Sequence, residues 1–164
     1  MKFKLLVKLF FAVSIVAFLT WVSLRVTDST YEKEMQLKYL FPSFQEDISK
    51  ITIDYGTNQI SLSANIGDEW KIEKPFSAIA DNSKLAKMMD VLAGLKREEI
   101  ISGEQREARG LSLRDYGLEK PQITIIIGDR KNKITLLIGR KSPVGELVYT
   151  RIEGESDVVA TSAE

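Results

Sequence analysis

The acids, bases and nucleophiles open to this chain are carboxylates, lysines, tyrosines and serines, because its 164 residues include neither cysteine nor histidine. Without histidine the usual activation of a serine or cysteine nucleophile is closed, as are most zinc and transition-metal sites. Without cysteine there is no disulfide, no thiolate ligand and no lipidated N-terminal cysteine. Carboxylate pairs of the kind a glycosidase needs occur at Asp68-Glu69, Glu98-Glu99 and Glu104 with Glu107. All fall at turns or in a charged connector, where solvated surface is the simpler reading. Gly128-Asp129-Arg130-Lys131-Asn132 has too few carboxylates for a calcium loop, and no Gly-Lys-Ser/Thr phosphate loop occurs. Arg130-Lys131 and Arg140-Lys141 are expected on two loops, where they suit lipid headgroups or anionic glycans as well as plain hairpin tips. Trp70 sits on an alternating stretch and reads as core rather than as a ligand platform. The expectation is therefore a protein that is not an enzyme, with no catalytic, cofactor or metal site. Lysine plus arginine equals aspartate plus glutamate, 23 against 23, so nothing draws the chain to nucleic acid.

The elements that would carry these residues change period along the chain. Ile51, Ile53 and Tyr55 alternate with polar residues, and Ile60, Leu62 and Ala64 resume after Gly56-Thr57-Asn58. Trp70-Lys71-Ile72-Glu73 follows a second turn and stops at Pro75, which completes a three-stranded meander. Asp81 reads as the N-cap of a helix starting at Asn82, with Leu85, Met88, Met89, Leu92 and Leu95 as its apolar stripe. Gly94 and Lys96-Arg97 suit the last turn of that helix. Residues 98–114 read as a charged connector, and Tyr116-Gly117-Leu118-Glu119-Lys120-Pro121 as a compact turn. Gly117 there is expected at positive φ and Leu118 in the core. Ile123, Ile125 and Ile127 mark a strand, and Ile134–Gly139 returns from a hairpin. A loop over 140–146 leads to Leu147–Ile152, and Val158-Val159-Ala160 is a candidate last short strand. The fold class is α+β: an N-terminal transmembrane helix, then a small antiparallel-sheet domain, βββ-α-βββ, on one main helix.

The first residues are of another kind. Leu5 to Leu24 is interrupted only by Lys8, and twenty residues of helix cover roughly 30 Å, the hydrocarbon thickness of a bilayer. Lys8 lies within snorkelling reach of the headgroups and Trp21 at an interfacial depth. Lys2, Lys4 and Lys8 precede the run, while Arg25 stands among Asp28, Glu32 and Glu34. The positive-inside rule then puts the N-terminus in the cytoplasm and the domain outside it. A cleaved signal peptide is the competing reading, with Thr27-Asp28-Ser29 as its one cleavage candidate. The expected division is a membrane anchor over 1–27, a stalk over 28–47, a domain over 48–155 and a polar tail over 156–164. Leu40-Phe41-Pro42-Ser43-Phe44 is too apolar for a plain linker and should dock on the domain.

Leu40-Phe41-Pro42 before a strand, Trp70-Lys71-Ile72 with Pro75, and Ala80-Asp81 opening a helix together resemble a known family. Asp115-Tyr116-Gly117-Leu118-Glu119-Lys120-Pro121, then Leu137-Ile138-Gly139 with Gly145 and Tyr149, extend the likeness. The chain from Leu40 to Ile152 resembles domain of unknown function 4340 (DUF4340), departing from it at Ile79, where the family has proline. The resemblance implies an N-terminal transmembrane helix and bacterial neighbours that are ABC-transporter components linked to gliding or export. It carries over no catalytic residue and no cofactor. Two functions are expected from this. One is a non-catalytic accessory or structural protein of the cell inner membrane, with the lipid bilayer held through residues 5–24 and ABC-type transport or gliding proteins as partners. The alternative is an extracytoplasmic binding module for cell-wall glycan or another envelope polymer.

Overall fold

The structure is a computed structural model that describes residues 38–41, 48–64, 69–128 and 132–162. The expected anchor, with its Leu5–Leu24 run, lies outside the described residues, and so does most of the expected stalk. Among the described residues no helix is long and apolar enough to cross a membrane.

The chain forms β1 (Lys50–Tyr55), β2 (Asn58–Ala64), β3 (Trp70–Lys74), β4 (Ala78–Ile79), α1 (Asn82–Ala93) and β5 (Lys96–Ile101). Then come α2 (Gly103–Ala108), β6 (Ile123–Gly128), β7 (Lys133–Lys141), β8 (Val148–Ile152) and β9 (Val158–Ser162). All nine strands belong to one sheet in the order β4-β3-β2-β1-β6-β7-β8-β9-β5, and every pairing is antiparallel. The meander, the main helix and the later hairpin are where the alternation put them. The expected βββ-α-βββ count is too small, for three physical reasons.

The two residues of β4 are too few to show a period. β5 was hidden inside the charged connector, because it is an edge strand whose exposed positions carry Glu98, Glu99 and Ile100 and whose register breaks between Arg97 and Glu99. Lys96 and Arg97 therefore open a strand and do not close the helix. α2 is a short solvent-facing helix with no buried residue. Its start is fixed by a capping box in which Ser102 and Gln105 satisfy one another's backbone N–H groups.

The C-terminal boundary also moves. Val158-Val159-Ala160, the candidate last strand, is one: Val158–Ser162 lies inside the expected polar tail over 156–164 as an interior strand between β8 and β5, with four of its five residues buried. At the other end, Leu40 and Phe41 dock on the domain, as their apolar run indicates, and sit in the main core. The Leu40 N–H donates to the Leu95 carbonyl at 2.9 Å, Arg97 Nε donates to the Tyr39 carbonyl at 3.2 Å, and Tyr39 bridges to Lys96.

α1 joins one edge of the sheet to the other. Eight inter-strand gaps of about 4.8 Å would separate the edges of a flat sheet by about 38 Å. The twelve residues of α1 rise only about 18 Å, with Ala80-Asp81 and Gly94-Leu95 as the links. The two links, three residue steps each, can supply about 20 Å more, and the helix lies on one face of the sheet. Leu85, Met88, Met89 and Leu92 pack there against Ile51, Leu62, Ile125, Ile127, Leu136 and Val159. The start of α1 is set by Asp81, whose carboxylate accepts from Ser83 N at 3.0 Å and Lys84 N at 3.3 Å.

Alternation divides the interior in two. Leu136 and Val159 face α1, while their neighbours Leu137 and Val158 face the other way, toward a second cluster with Ile101, Tyr116 and Leu118.

Candidate functional site

The second cluster is built by the turn at residues 112–121, with Tyr116, Tyr149 and Arg140 around it. Ser112 starts it. Its N–H and hydroxyl both donate to one oxygen of Asp115, at 2.7 and 2.9 Å, an arrangement that turns the chain without a regular element. Those bonds, the backbone one first, hold the Asp115 carboxyl below the usual carboxylate range, with a smaller contribution from Arg140. Gly117 N donates to the Arg114 carbonyl at 3.0 Å and Leu118 N to the Leu113 carbonyl at 2.8 Å. Gly117 has φ +72°, a left-handed conformation that a side chain rarely takes.

The turn is seated on β7, and the fit is between backbones. Arg140 N donates to the Tyr116 carbonyl at 2.9 Å. A Cβ at Gly139 would lie 2.2 Å from that same carbonyl oxygen and 3.1 Å from Leu118 Cδ2. A Cβ at Gly117 would lie 2.6 Å from Arg140 Cγ and 3.0 Å from Arg140 N. Each glycine thus makes room for the other segment. Leu118 is 2% exposed and plugs the cluster. Tyr116 meets Tyr149 edge to face, with ring centroids 4.9 Å apart and planes at 84°, and Tyr149 shares a 3.3 Å hydroxyl hydrogen bond with Ser142. Burial, followed by the neighbouring Tyr149, pushes the Tyr116 phenol up. Its proton is thereby harder to lose, the opposite of what a general base needs.

The remaining chemistry-bearing residues are scattered. Glu69, Glu104 and Glu107 are exposed, while Asp68 lies outside the described residues. Glu98 is the extra residue of the β5 irregularity and accepts from Ser162 Oγ at 2.6 Å. Among the described residues no three acidic side chains gather as metal ligands do. Arg140 and Lys141 belong to β7 and not to the loop expected over 140–146. Lys141 donates to Glu146 at 2.6 Å and holds that carboxyl below its usual range. Arg130-Lys131 lies outside the described residues. Trp70 packs against the main core, as its alternation indicated.

Sequence reasoning found the turn, the positive φ of Gly117 and the burial of Leu118. It missed that Gly139 is the other half of the same joint. The signal was there: an isolated glycine inside an otherwise branched strand marks a close backbone approach.

A family model described as a domain of unknown function, DUF4340, matches residues 70–164, more than half of the chain, and the chain belongs to that family. The matched stretch contains both halves of the joint. It leaves out β1 and β2, although those strands lie in the middle of the sheet between β3 and β6. No curated protein and no solved structure matches the chain.

Proposed function

We propose that this DUF4340 protein is a non-catalytic accessory or structural protein of the bacterial envelope, tethered to the inner membrane and working with an ABC-type transport or gliding complex. One observation carries the non-catalytic part. The residues that gather at the site use their polar groups to hold a turn against a strand: Asp115 on Ser112, the Tyr116 carbonyl on Arg140, and the Tyr149 hydroxyl on Ser142. The transport connection is what the resemblance described above implies, and the Leu5–Leu24 run supports the tether.

The test is recovery of the protein from detergent-extracted membranes after mild crosslinking, with mass spectrometry of what accompanies it. Components of an ABC-type complex are the expected companions. Recovery of the protein alone across several detergents would remove the accessory reading. Topology is checked separately: an alkaline phosphatase fused at the C-terminus should be active, because that reporter matures only outside the cytoplasm, and an inactive fusion would reverse the orientation.

A further inference from the structure

Strand register places several connections at one end of the sheet. Tyr55 lies opposite Asn58 and Ile123, Ile123 opposite Ile138, Lys141 opposite Val148, Val148 opposite Thr161, and Ser162 opposite Lys96. The links over 56–57, 75–77 and 142–147 therefore share this end. The described chain also arrives here, since Tyr39 bridges to Lys96 and Leu40 donates to Leu95. Together these links and the entering chain make one rim of the sheet.

The rim carries three of the eight exposed large hydrophobic side chains among the described residues. Loop tips normally carry polar or small residues, yet here stand Tyr55 at 42%, Phe76 at 67% and Val144 at 77% exposure. Lys74 and Lys120 flank them, while Lys141 is held by Glu146. Of the acids at this end, Glu119 pairs with Arg114 and Glu146 with Lys141, while Asp54 accepts from the Gln59 amide. The opposite end carries Glu153, Glu155 and Asp157 in its last connection.

We infer that this rim rests on the lipid surface, with Tyr55, Phe76 and Val144 dipping among the headgroups and Lys74 and Lys120 meeting anionic lipid phosphates. The inference rests on the tethered reading above and adds which end of the domain faces the bilayer. Apolar tips with cationic neighbours are what an interfacial contact requires, and each gains from the other. The tether keeps the domain near the bilayer. Leu24 to Lys38 is fourteen peptide steps, at most about 50 Å fully extended. A domain held so close meets the membrane continually, and the end where its chain enters meets it first.

The lack of native cysteine makes the test direct. Single variants Phe76→Cys and Val144→Cys, with Ser156→Cys at the far end as reference, carry an environment-sensitive fluorophore on the full chain in vesicles of phosphatidylethanolamine and phosphatidylglycerol. The two tip labels should shift to the blue and lose emission to brominated lipid, while the Ser156 label stays water-exposed and unquenched. Adding Phe76→Asp should abolish the quenching at position 144, without unfolding a domain in which Phe76 is already exposed. Tip labels as wet as the Ser156 label overturn the orientation. So do labels shielded from aqueous quencher yet untouched by brominated lipid, which would mean a protein contact. A carbonate wash reads the tether independently. Protein lost to the wash ends the tethered reading and this inference together, while protein retained with wet tips ends only the inference.

Discussion

The two faces of the sheet are held in different ways. On the α1 side, side chains at regular spacing, from Ile51 through Leu136 to Leu92, fill a volume between helix and strands. On the other side a turn without regular structure lies directly on β7, and two glycines let the backbones meet. The first face is a matter of apolar pattern and total volume, which tolerates exchange among residues of similar size. The second depends on the absence of particular atoms, and it tolerates almost nothing at Gly139. Two of the phrases that carry the family resemblance, the turn and the glycine strand, are the two partners of that second contact. A family signature can therefore mark a joint in the fold as readily as a reactive site.

The largest expected effect separates the faces by removing strands. A fragment of residues 70–164, the part matching the family, keeps every residue of the second cluster. It loses Ile51, Ile53, Ile60 and Leu62 from the first and leaves β3 without β2 and β6 without β1. It should show no cooperative urea transition by circular dichroism. A sharp transition would mean that the α1 face is not what holds the domain together.

Truncation within each face sharpens the contrast. Leu136→Ala and Leu118→Ala should each cost about 2–5 kcal/mol, the range for a buried leucine cut back to alanine. Leu136 is fully enclosed in a strand flanked by β6 and β8, where little can collapse, so its loss should fall at the upper end. Leu118 hangs from a turn that can settle onto β7, so it should cost less. The reverse order in urea midpoints would contradict the distinction. Adding one carbon probes the joint from the other direction. Gly139→Ala must move the Tyr116 carbonyl and should cost about 1–3 kcal/mol as overpacking. Gly117→Ala should cost about 1–2 kcal/mol for the left-handed conformation, plus whatever the approach to Arg140 adds. Gly56→Ala, at φ +61° with open space around it, isolates the conformational part and should be milder than either.

The smallest effects belong to the exposed carboxylates. Asp81 and Asp115 both have lowered pKa values, Asp81 chiefly through the Ser83 hydroxyl and Asp115 chiefly through the Ser112 N–H. A carboxyl lowered on folding stabilises above its unfolded pKa, near 4, and that contribution is lost as pH falls through the lower folded value. Asp115→Asn should therefore flatten the loss of stability between neutral pH and acid. Asp81→Ala should lower the urea midpoint at neutral pH and leave it nearly unchanged in strong acid. An Asp81→Ala deficit that persists undiminished at low pH would show that the cap does not act through its charge.

Much of this protein is settled by short-range pattern alone. The meander, the α1 stripe with its Asp81 cap, the positive φ of Gly117 and the place of Leu118 follow from periods of 2 and 3.6 and from local hydrogen bonding. All of that lies within a few residues of chain. Tertiary structure decided the rest. β5 became a strand because β9 offered it partners, although its exposed charges conceal any alternation. β9 is buried on both faces because α1 lies on one side and the turn on the other, so what looked like a tail closes the sheet. Gly139 is fixed by Tyr116, more than twenty residues earlier in the chain. In each case the determining contact joins segments far apart in sequence. A residue's own neighbours report its period and its turn chemistry, but not which distant backbone will come to rest on it.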